Sequence, residues 1–182
     1  MSKPAWVIVL VEDERHKRFV VQYLRRKGYE NDRQMYFAPL PGGRGCGEQW
    51  VRENYLKYVQ AYRARASRSD TALIVAIDAD TETVDGRLRQ LEQTLRAASE
   101  PIRTGKERIV LLVPRRNIET WIICLSGEQV DEATDYKRRP GVDDQIKPAS
   151  ETFFAWSRPN VQTPPHCVPS IAGAIPEIRR ID

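Results

Sequence analysis

Three short apolar runs in this chain each end at, or shortly before, acidic residues, and no other feature constrains the fold as strongly. The runs cover residues 7–11, 73–77 and 109–113. The first ends at Glu12, the second ends at Asp78, and Glu119 follows the third after a short basic segment. Short apolar runs bounded by turn-forming residues are typical of buried parallel strands. Because parallel strands place their carboxyl ends at one edge of a sheet, these acids are expected to gather there.

The segments between the apolar runs have the spacing of amphipathic helices. In the first of them apolar residues fall at positions 19, 20, 23 and 24, and Gly28 follows as a stop signal. The whole pattern predicts strands over 5–11, 34–38, 72–77 and 108–113, and helices over 15–27, 48–65, 84–98 and 117–125. This alternation predicts a three-layer α/β/α fold with a mainly parallel four-stranded sheet. Right-handed crossovers bring the strand ends to the same edge.

The sequence pattern changes near residue 126, from alternating strand and helix segments to a Pro-rich segment. Residues 1–126 are predicted to form the α/β domain, and residues 127–182 a Pro-rich, irregular extension that packs on it. Seven of the twelve prolines lie in residues 126–182. Within the extension, the apolar residues of segment 153–156 are expected to contact the main domain, and residues 169–180 to close the chain with a short helix.

Composition excludes several classes of protein. No apolar stretch approaches the length that spans a bilayer, and the start of the chain lacks a signal-peptide pattern, which predicts a cytoplasmic protein without a membrane partner. The three cysteines are odd in number and far apart, so free thiols are expected rather than a disulfide framework. With only two histidines, no Cys/His spacing indicates a zinc site.

Positive charge is concentrated at the start of the chain. Residues 1–70 hold 14 Lys/Arg against 8 Asp/Glu, whereas residues 71–182 hold 15 against 17. A basic first third beside an acidic cluster suits a nucleic-acid backbone held near metal ligands, although a solvated basic surface is the alternative. Arg44 in the glycine-rich loop 42–47 and the pair Arg115 and Arg116 are the predicted nucleic-acid contacts.

The acids themselves indicate a metal site. Asp78 and Asp80 are two residues apart at a strand end, so both side chains leave the backbone on one side, and Glu12 is their expected partner. Gathered carboxylates repel one another unless a cation is present, and such hard oxygen ligands suit Mg²⁺ or Mn²⁺. The alternative for Asp80 is that it caps the following helix. Glu119 could support a second ion or only complement a helix N-terminus.

The remaining polar residues near these acids are assigned smaller roles. Arg116, with Arg115, could offset charge on a phosphate in the transition state. Asp13 could assist Glu12 or complement the N-terminus of the first helix, and Glu14 is interpreted as helix-terminal charge. His16 is expected to be exposed on that helix, without a catalytic role.

The order of the acids resembles the Toprim domain, which topoisomerases, bacterial primases, small ribonucleases and OLD-type nucleases share. That pattern has a Glu after the first strand, an Asp-x-Asp after a later strand and often a glycine a few residues on. The corresponding residues here are Glu12, Asp78, Asp80 and Gly86, the last expected late in a loop. The resemblance covers roughly residues 5–125, but Asp13 occupies the place where Toprim domains usually carry glycine. The segment Pro114–Trp121 is similar to segments in standalone Toprim-related proteins of bacterial defence loci.

A second resemblance, to response-regulator receiver domains, is carried by the segment Val9–Glu14 and would make Asp78 a phosphoacceptor. About 65 residues separate Glu12 from Asp78, more than a receiver usually has. No lysine follows residues 109–113, where a receiver would have one, and Asp80 has no role in that scheme. The receiver is therefore the less favoured interpretation.

The Toprim resemblance implies a Mg²⁺- or Mn²⁺-dependent nuclease that cleaves DNA or RNA, with a place in antiphage defence. Glu12, Asp78 and Asp80 would hold the metal, Glu119 would support a second ion, and Arg115 or Arg116 would steady the phosphate. Topoisomerase activity is not expected, because a chain of 182 residues has no room for the domains that pass strands. The alternative is a noncatalytic or partner-activated subunit, whose partners would include an ATPase, another protein or further copies of the chain.

Overall fold

The computed structural model describes residues 3–42 and 47–182, without the side chains of Asn31 and Asp32. The strands are β1 (Trp6–Val11), β2 (Met35–Phe37), β3 (Thr71–Ala76) and β4 (Ile109–Leu112). The helices are α1 (Glu14–Arg26), α2 (Asn31–Gln34), α3 (Gly47–Ala66), α4 (Val84–Ala97), α5 (Ile118–Leu125), α6 (Val142–Trp156) and α7 (Pro169–Ile178), and the 3-10 turn Arg179–Ile181 follows. The strands form one sheet of order β2-β1-β3-β4, with every pair parallel. The predicted α/β architecture is confirmed.

Both faces of the sheet are buried, which explains why the strands are continuously apolar. In β1, Val7, Val9 and Val11 belong to a core shared with α1, α5, α6 and α7. The alternate residues Ile8 and Leu10 face a second core built with α3 and α4. Two helical layers therefore enclose the sheet.

Helix α1 follows β1 after a sharp turn. Asp13 caps it, since its side chain accepts a hydrogen bond from the backbone N–H of His16. The helix buries the apolar face that the sequence predicted and ends before Gly28, whose φ of +85° only glycine adopts without strain. Asp13 thus takes the helix-terminal role and starts the polar network described below.

The order of the strands places a crevice between β1 and β3. The chain leaves β1 through α1 on one face of the sheet and leaves β3 through α4 on the other. At such a switch point the two connections diverge and open a crevice at the carboxyl ends of the strands. Glu12 directly follows β1 and Asp78 lies just beyond β3, so both stand at this crevice.

The C-terminal residues belong to the same core as α1 and α5. The ring of Phe153 in α6 lies 5.6 Å from that of Phe19 and 5.7 Å from that of Trp121, and α7 packs against β4. The predicted contact of segment 153–156 and the predicted closing helix are confirmed. The sequence did not predict α6, because Pro148 interrupts its helical pattern and proline normally breaks a helix interior.

Within residues 3–42 and 47–182, no helix combines the length with the apolar character that crossing a membrane demands.

Candidate metal centre

Glu12 lies where β1 ends and reaches across to the next strand. Its Oε2 accepts a hydrogen bond from the backbone N–H of Asp78 at 3.0 Å, and the residue is 9% exposed. Gly47, the first residue of α3, closes over it: a Cβ at this position would lie 2.5 Å from the Cγ and 2.6 Å from the backbone oxygen of Glu12. The absence of a side chain at Gly47 therefore lets α3 begin against Glu12.

A buried chain of polar groups runs beneath Glu12. The His16 Nε2 atom lies 3.0 Å from Asp78 Oδ1, and the His16 Nδ1 atom lies 2.9 Å from Asp13 Oδ1. His16 is 0% exposed and Asp78 is 1% exposed. The prediction that His16 is exposed is wrong. Its position three and four residues before Phe19 and Val20 places it on the buried face of α1, and this spacing was the signal that could have found it.

Burial and like charge set the electrostatics of the centre. Burial, and after it the negative charge of Asp78, raise the pKa of Glu12 to about 7. Burial also raises the pKa of Asp78, although His16 opposes the shift. Burial opposes protonation of His16, but the charge of Asp78 and the hydrogen bond to Asp13 together hold its pKa well above the usual value. Burial would raise the pKa of Asp13, but hydrogen bonding to His16 prevails and lowers it.

Three of these groups could share one cation. Glu12, His16 and Asp78 each present a potential ligand atom, and these atoms lie within 4.8 Å of one another. The predicted proximity of Glu12 and Asp78 is therefore observed, together with a histidine that the sequence analysis left out.

Asp80 stands at the outer side of the centre. Its Oδ1 atom lies 3.1 Å from the Nζ of Lys137, a half-exposed residue between α5 and α6. The φ of Asp80 is +54°, a left-handed backbone conformation that turns the chain away from β3. Asp80 does not cap α4, because Thr83 does so by accepting from the N–H of Gly86. Gly86, expected in a loop, therefore lies in the first turn of α4.

Glu119 is held by an arginine from α1. It is 3% exposed, its Oε1 atom pairs with Arg15, and its Oε2 atom is buried without a hydrogen-bond partner in the described residues. Arg15 also pairs with Asp143 and donates to the backbone oxygen of Lys137. The hydrogen bonds with Asp143, and then those with Glu119, raise the pKa of Arg15 despite its partial burial.

The arginines predicted to bind nucleic acid have different surroundings. Arg115 donates to the backbone oxygens of Asp80 and Glu82, so it supports the loop after β3. Arg116 lies 3.8 Å from Asp135 and has a buried Nε atom without a partner in the described part of the chain. Arg44 lies outside the described residues, so its predicted role stays a prediction.

A buried arginine that the sequence did not single out also supports this loop. The Nε atom of Arg87 donates to the backbone oxygen of Asp78, its Nη2 atom donates to that of Ala79, and Glu48 pairs with its guanidinium. Arg87 is a positioning residue, since it fixes the backbone on which Asp78 stands. The burial of Arg87 was difficult to predict from the sequence, because most arginines in amphipathic helices lie on the exposed face.

A cavity of about 560 Å³ opens above the centre. Glu12, Asp80 and Glu119 line it together with the cations Arg15 and Lys137, and Leu40, Pro41 and Gly47 form part of its wall. Its size lies within the range of small-ligand sites. The cavity therefore gives a ligand access to the carboxylates from the carboxyl edge of the sheet.

No protein-family model matches this chain, and no curated protein or solved structure matches it either.

Proposed function

We propose that this protein is a Mg²⁺- or Mn²⁺-dependent, Toprim-like nuclease that cleaves phosphodiester bonds in DNA or RNA. The observation that carries the proposal is the buried pair of Glu12 and Asp78 at the carboxyl ends of neighbouring parallel strands, below a cavity. The same proposal places the protein in the cytoplasm, where nucleic acid is available, and in a bacterial defence system.

The donor set fits a hard divalent cation. Glu12 and Asp78 are carboxylates, Asp80 lies two residues further on, and carboxylate oxygen is the ligand that Mg²⁺ and Mn²⁺ prefer. Burial and mutual repulsion disfavour the ionised forms of Glu12 and Asp78. A cation beside them would stabilise the ionised carboxylates and so offset this unfavourable free energy. The Oε2 of Glu119, which has no hydrogen-bond partner within the described ranges, offers a further buried acceptor. His16 would act behind Asp78 by orienting its carboxylate.

Glu12, Asp78 and Asp80 would hold the ion, and Glu119 would support it. When bound, such an ion polarises a phosphate oxygen and makes water a better nucleophile at neutral pH. Arg15 and Lys137 line the cavity and would attract a phosphate group towards these carboxylates. Arg116 would steady the phosphate once the substrate has entered, if its guanidinium turns from Asp135.

The proposal is tested by cleavage assays with the purified full chain. Supercoiled plasmid, labelled single-stranded DNA and labelled single-stranded RNA are incubated with Mn²⁺, with Mg²⁺ or with EDTA. We expect cleavage of at least one substrate with an ion and none with EDTA. Folded protein that binds Mn²⁺ in calorimetry but cuts none of the substrates would overturn the catalytic proposal.

One observation favours the partner-activated alternative. Asp78, Asp80 and Glu119 each already have a cation from the chain itself, which is His16 for Asp78, Lys137 for Asp80 and Arg15 for Glu119. Positive charge held against these acids repels an incoming metal ion, so its exchange for the metal at Asp80 and Glu119 would be unfavourable without a further driving force. A protein or ATPase partner, or a second copy of the chain, could drive that exchange. Cleavage that appears only after the partner is added would support this alternative.

Replacing Gly47 with alanine is expected to weaken binding of Mn²⁺ by roughly 10- to 100-fold, the range seen when the support of a ligand is lost. The new Cβ would lie 2.5 Å from the Cγ of Glu12, so Glu12 or the start of α3 must move. Such overpacking should also lower the free energy of unfolding by about 1–3 kcal/mol. Calorimetry with Mn²⁺ and urea unfolding measure the two effects.

Gly173→Ala is the matched control, since Gly173 also lies in a helix but a Cβ there meets no atom of the described residues within 4 Å. It should keep the affinity for Mn²⁺ and raise stability by up to about 1 kcal/mol, the difference in helix propensity. Equal Mn²⁺ affinity in the two variants would contradict the role assigned to Gly47.

A further inference from the structure

A second cavity, of about 640 Å³, lies between the C-terminal half of α3 and strands β1 and β2. It is lined by Trp6, Ile8, Tyr36, Lys57, Tyr58, Ala61, Ala64, Arg65, Arg68 and Ser69. We call it the aromatic groove. Gly47 at the other end of α3 lines the metal-centre cavity, and 18 residues of helix at 1.5 Å each separate Gly47 from Arg65 by about 27 Å. The aromatic groove is therefore distinct from the metal centre.

Aromatic side chains form one wall of the groove. Tyr36 projects from the edge strand β2 and is 44% exposed. Its ring lies 6.4 Å from that of the buried Tyr58, at an interplanar angle of 36°. Tyr58 therefore backs Tyr36, and Tyr36 presents an accessible ring to the solvent.

The other side of the groove is positively charged. Lys57, Arg65 and Arg68 line it, and no acidic residue of the described ranges is among its lining residues. None of these three cations has a carboxylate partner in the part of the chain that the structure describes, whereas the nearby Arg63 pairs with Glu100 and Glu107. The groove thus offers unneutralised positive charge beside exposed aromatic surface.

Arg65 is already positioned for an anionic ligand. Its guanidinium lies 4.4 Å from the ring centroid of Trp6. A cation–π contact of this kind fixes the guanidinium without using its N–H groups as donors. Positive charge near the end of α3 also complements the helix dipole, but Lys57 lies more than two turns before that end and has no such role.

We propose that the aromatic groove binds single-stranded nucleic acid, with a base stacked on Tyr36 and the adjacent phosphates on Lys57, Arg65 and Arg68. An exposed aromatic ring beside a cationic surface is the combination that holds unpaired strands without reading their sequence. The choice of ligand rests on the proposed function, because a nuclease needs a surface that retains its substrate away from the cleavage centre. A double helix would not fit, because its bases are stacked on one another and cannot reach Tyr36.

The test measures binding without cleavage. The anisotropy of a labelled single strand of about 12 nucleotides, within the site sizes of such proteins, is followed with the full chain in EDTA. Tyr36→Ala should weaken binding by roughly 5- to 100-fold, the range expected for loss of one stacked base. Lys57→Ala/Arg68→Ala should weaken it as well and reduce its dependence on salt. Lys106→Ala/Lys147→Ala, which removes two exposed cations elsewhere, should leave it unchanged.

An abasic strand of the same length separates stacking from phosphate attraction. It should bind more weakly than the normal strand, and Tyr36→Ala should not weaken it further. Unchanged binding of the normal strand by Tyr36→Ala and by Lys57→Ala/Arg68→Ala would overturn the proposal. Displacement of the strand by a free mononucleotide at equal concentration would also overturn it. A change of oligomeric state in Tyr36→Ala would overturn it as well, because it would assign the groove to a second copy of the chain. Because EDTA is present throughout, failure of the nuclease proposal would leave this result unaffected.

Discussion

Replacing Asp78 with asparagine is expected to reduce metal-dependent cleavage at least about 100-fold, more than the loss of a residue that only supports a ligand. The substitution keeps the shape of the side chain but removes the charge that would hold a divalent ion. The amide introduced at this position can still hydrogen-bond to His16, so the chain should stay folded. Cleavage rates at saturating Mn²⁺, Mn²⁺ affinity by calorimetry and circular dichroism measure these three points.

Asp144→Asn is the control for this variant, because Asp144 is an exposed carboxylate in the first turn of α6. It should cleave at the rate of the unaltered protein. If Asp78→Asn kept both its Mn²⁺ affinity and its cleavage rate, the centre between β1 and β3 could not be the catalytic site. A variant that bound Mn²⁺ normally but no longer cut would assign Asp78 to the reaction rather than to the metal.

The proximity of Glu12 and Asp78 could be predicted from the sequence because it depends on local patterns. Two apolar runs predict two strands, a parallel sheet brings their carboxyl ends to one edge, and the acids follow directly. The observed register pairs Val11 with Ala76, so Glu12 comes opposite Ile77 and its side chain reaches the N–H of Asp78 one residue further on. No information about distant parts of the chain was needed for this inference.

The cations of the centre could not be predicted in this way. Lys137 reaches Asp80 from a segment without helical or strand periodicity, and Arg15 reaches Asp143 across 128 residues of sequence. Both contacts exist only because α6 packs against α1 and α5. Helix α6 itself was missed because of Pro148, so the packing that brings these residues together was absent from the prediction.

Through these contacts, residues 127–182 contribute side chains to the candidate metal centre. Asp135 accepts from Asn117, the cap of α5, and Lys137 and Asp143 both contact residues that line the metal-centre cavity. All site residues predicted from the sequence lie within residues 1–126, and only packing was predicted for the remainder. The extension instead supplies Lys137, the cation beside Asp80, and fixes Arg15 through Asp143, so shortening the chain before residue 137 would change the electrostatics of the cavity.

His16→Ala is expected to lower the free energy of unfolding by about 3–5 kcal/mol, the cost of leaving one charge of a buried pair without its partner. His16 has a carboxylate at each ring nitrogen, and its raised pKa keeps it positively charged beside Asp78. Asp78 is 1% exposed in the unaltered protein, and removing the imidazole takes away its main compensating charge. Urea unfolding, with the midpoint and slope both measured, gives the change in stability.

The double variant His16→Ala/Asp78→Ala separates loss of the ion pair from loss of packing. If the unpaired charge of Asp78 causes most of the destabilisation, the double variant should be more stable than the sum of the two single changes predicts, by about 1–3 kcal/mol. His166→Ala is the comparison for the removal of an imidazole, because His166 is half-buried and contacts Trp156 away from the centre. His166→Ala should lower the free energy of unfolding by less than His16→Ala does. Additive effects in the double variant would instead mean that His16 stabilises the fold by filling space, and that the charge on Asp78 is balanced by other groups.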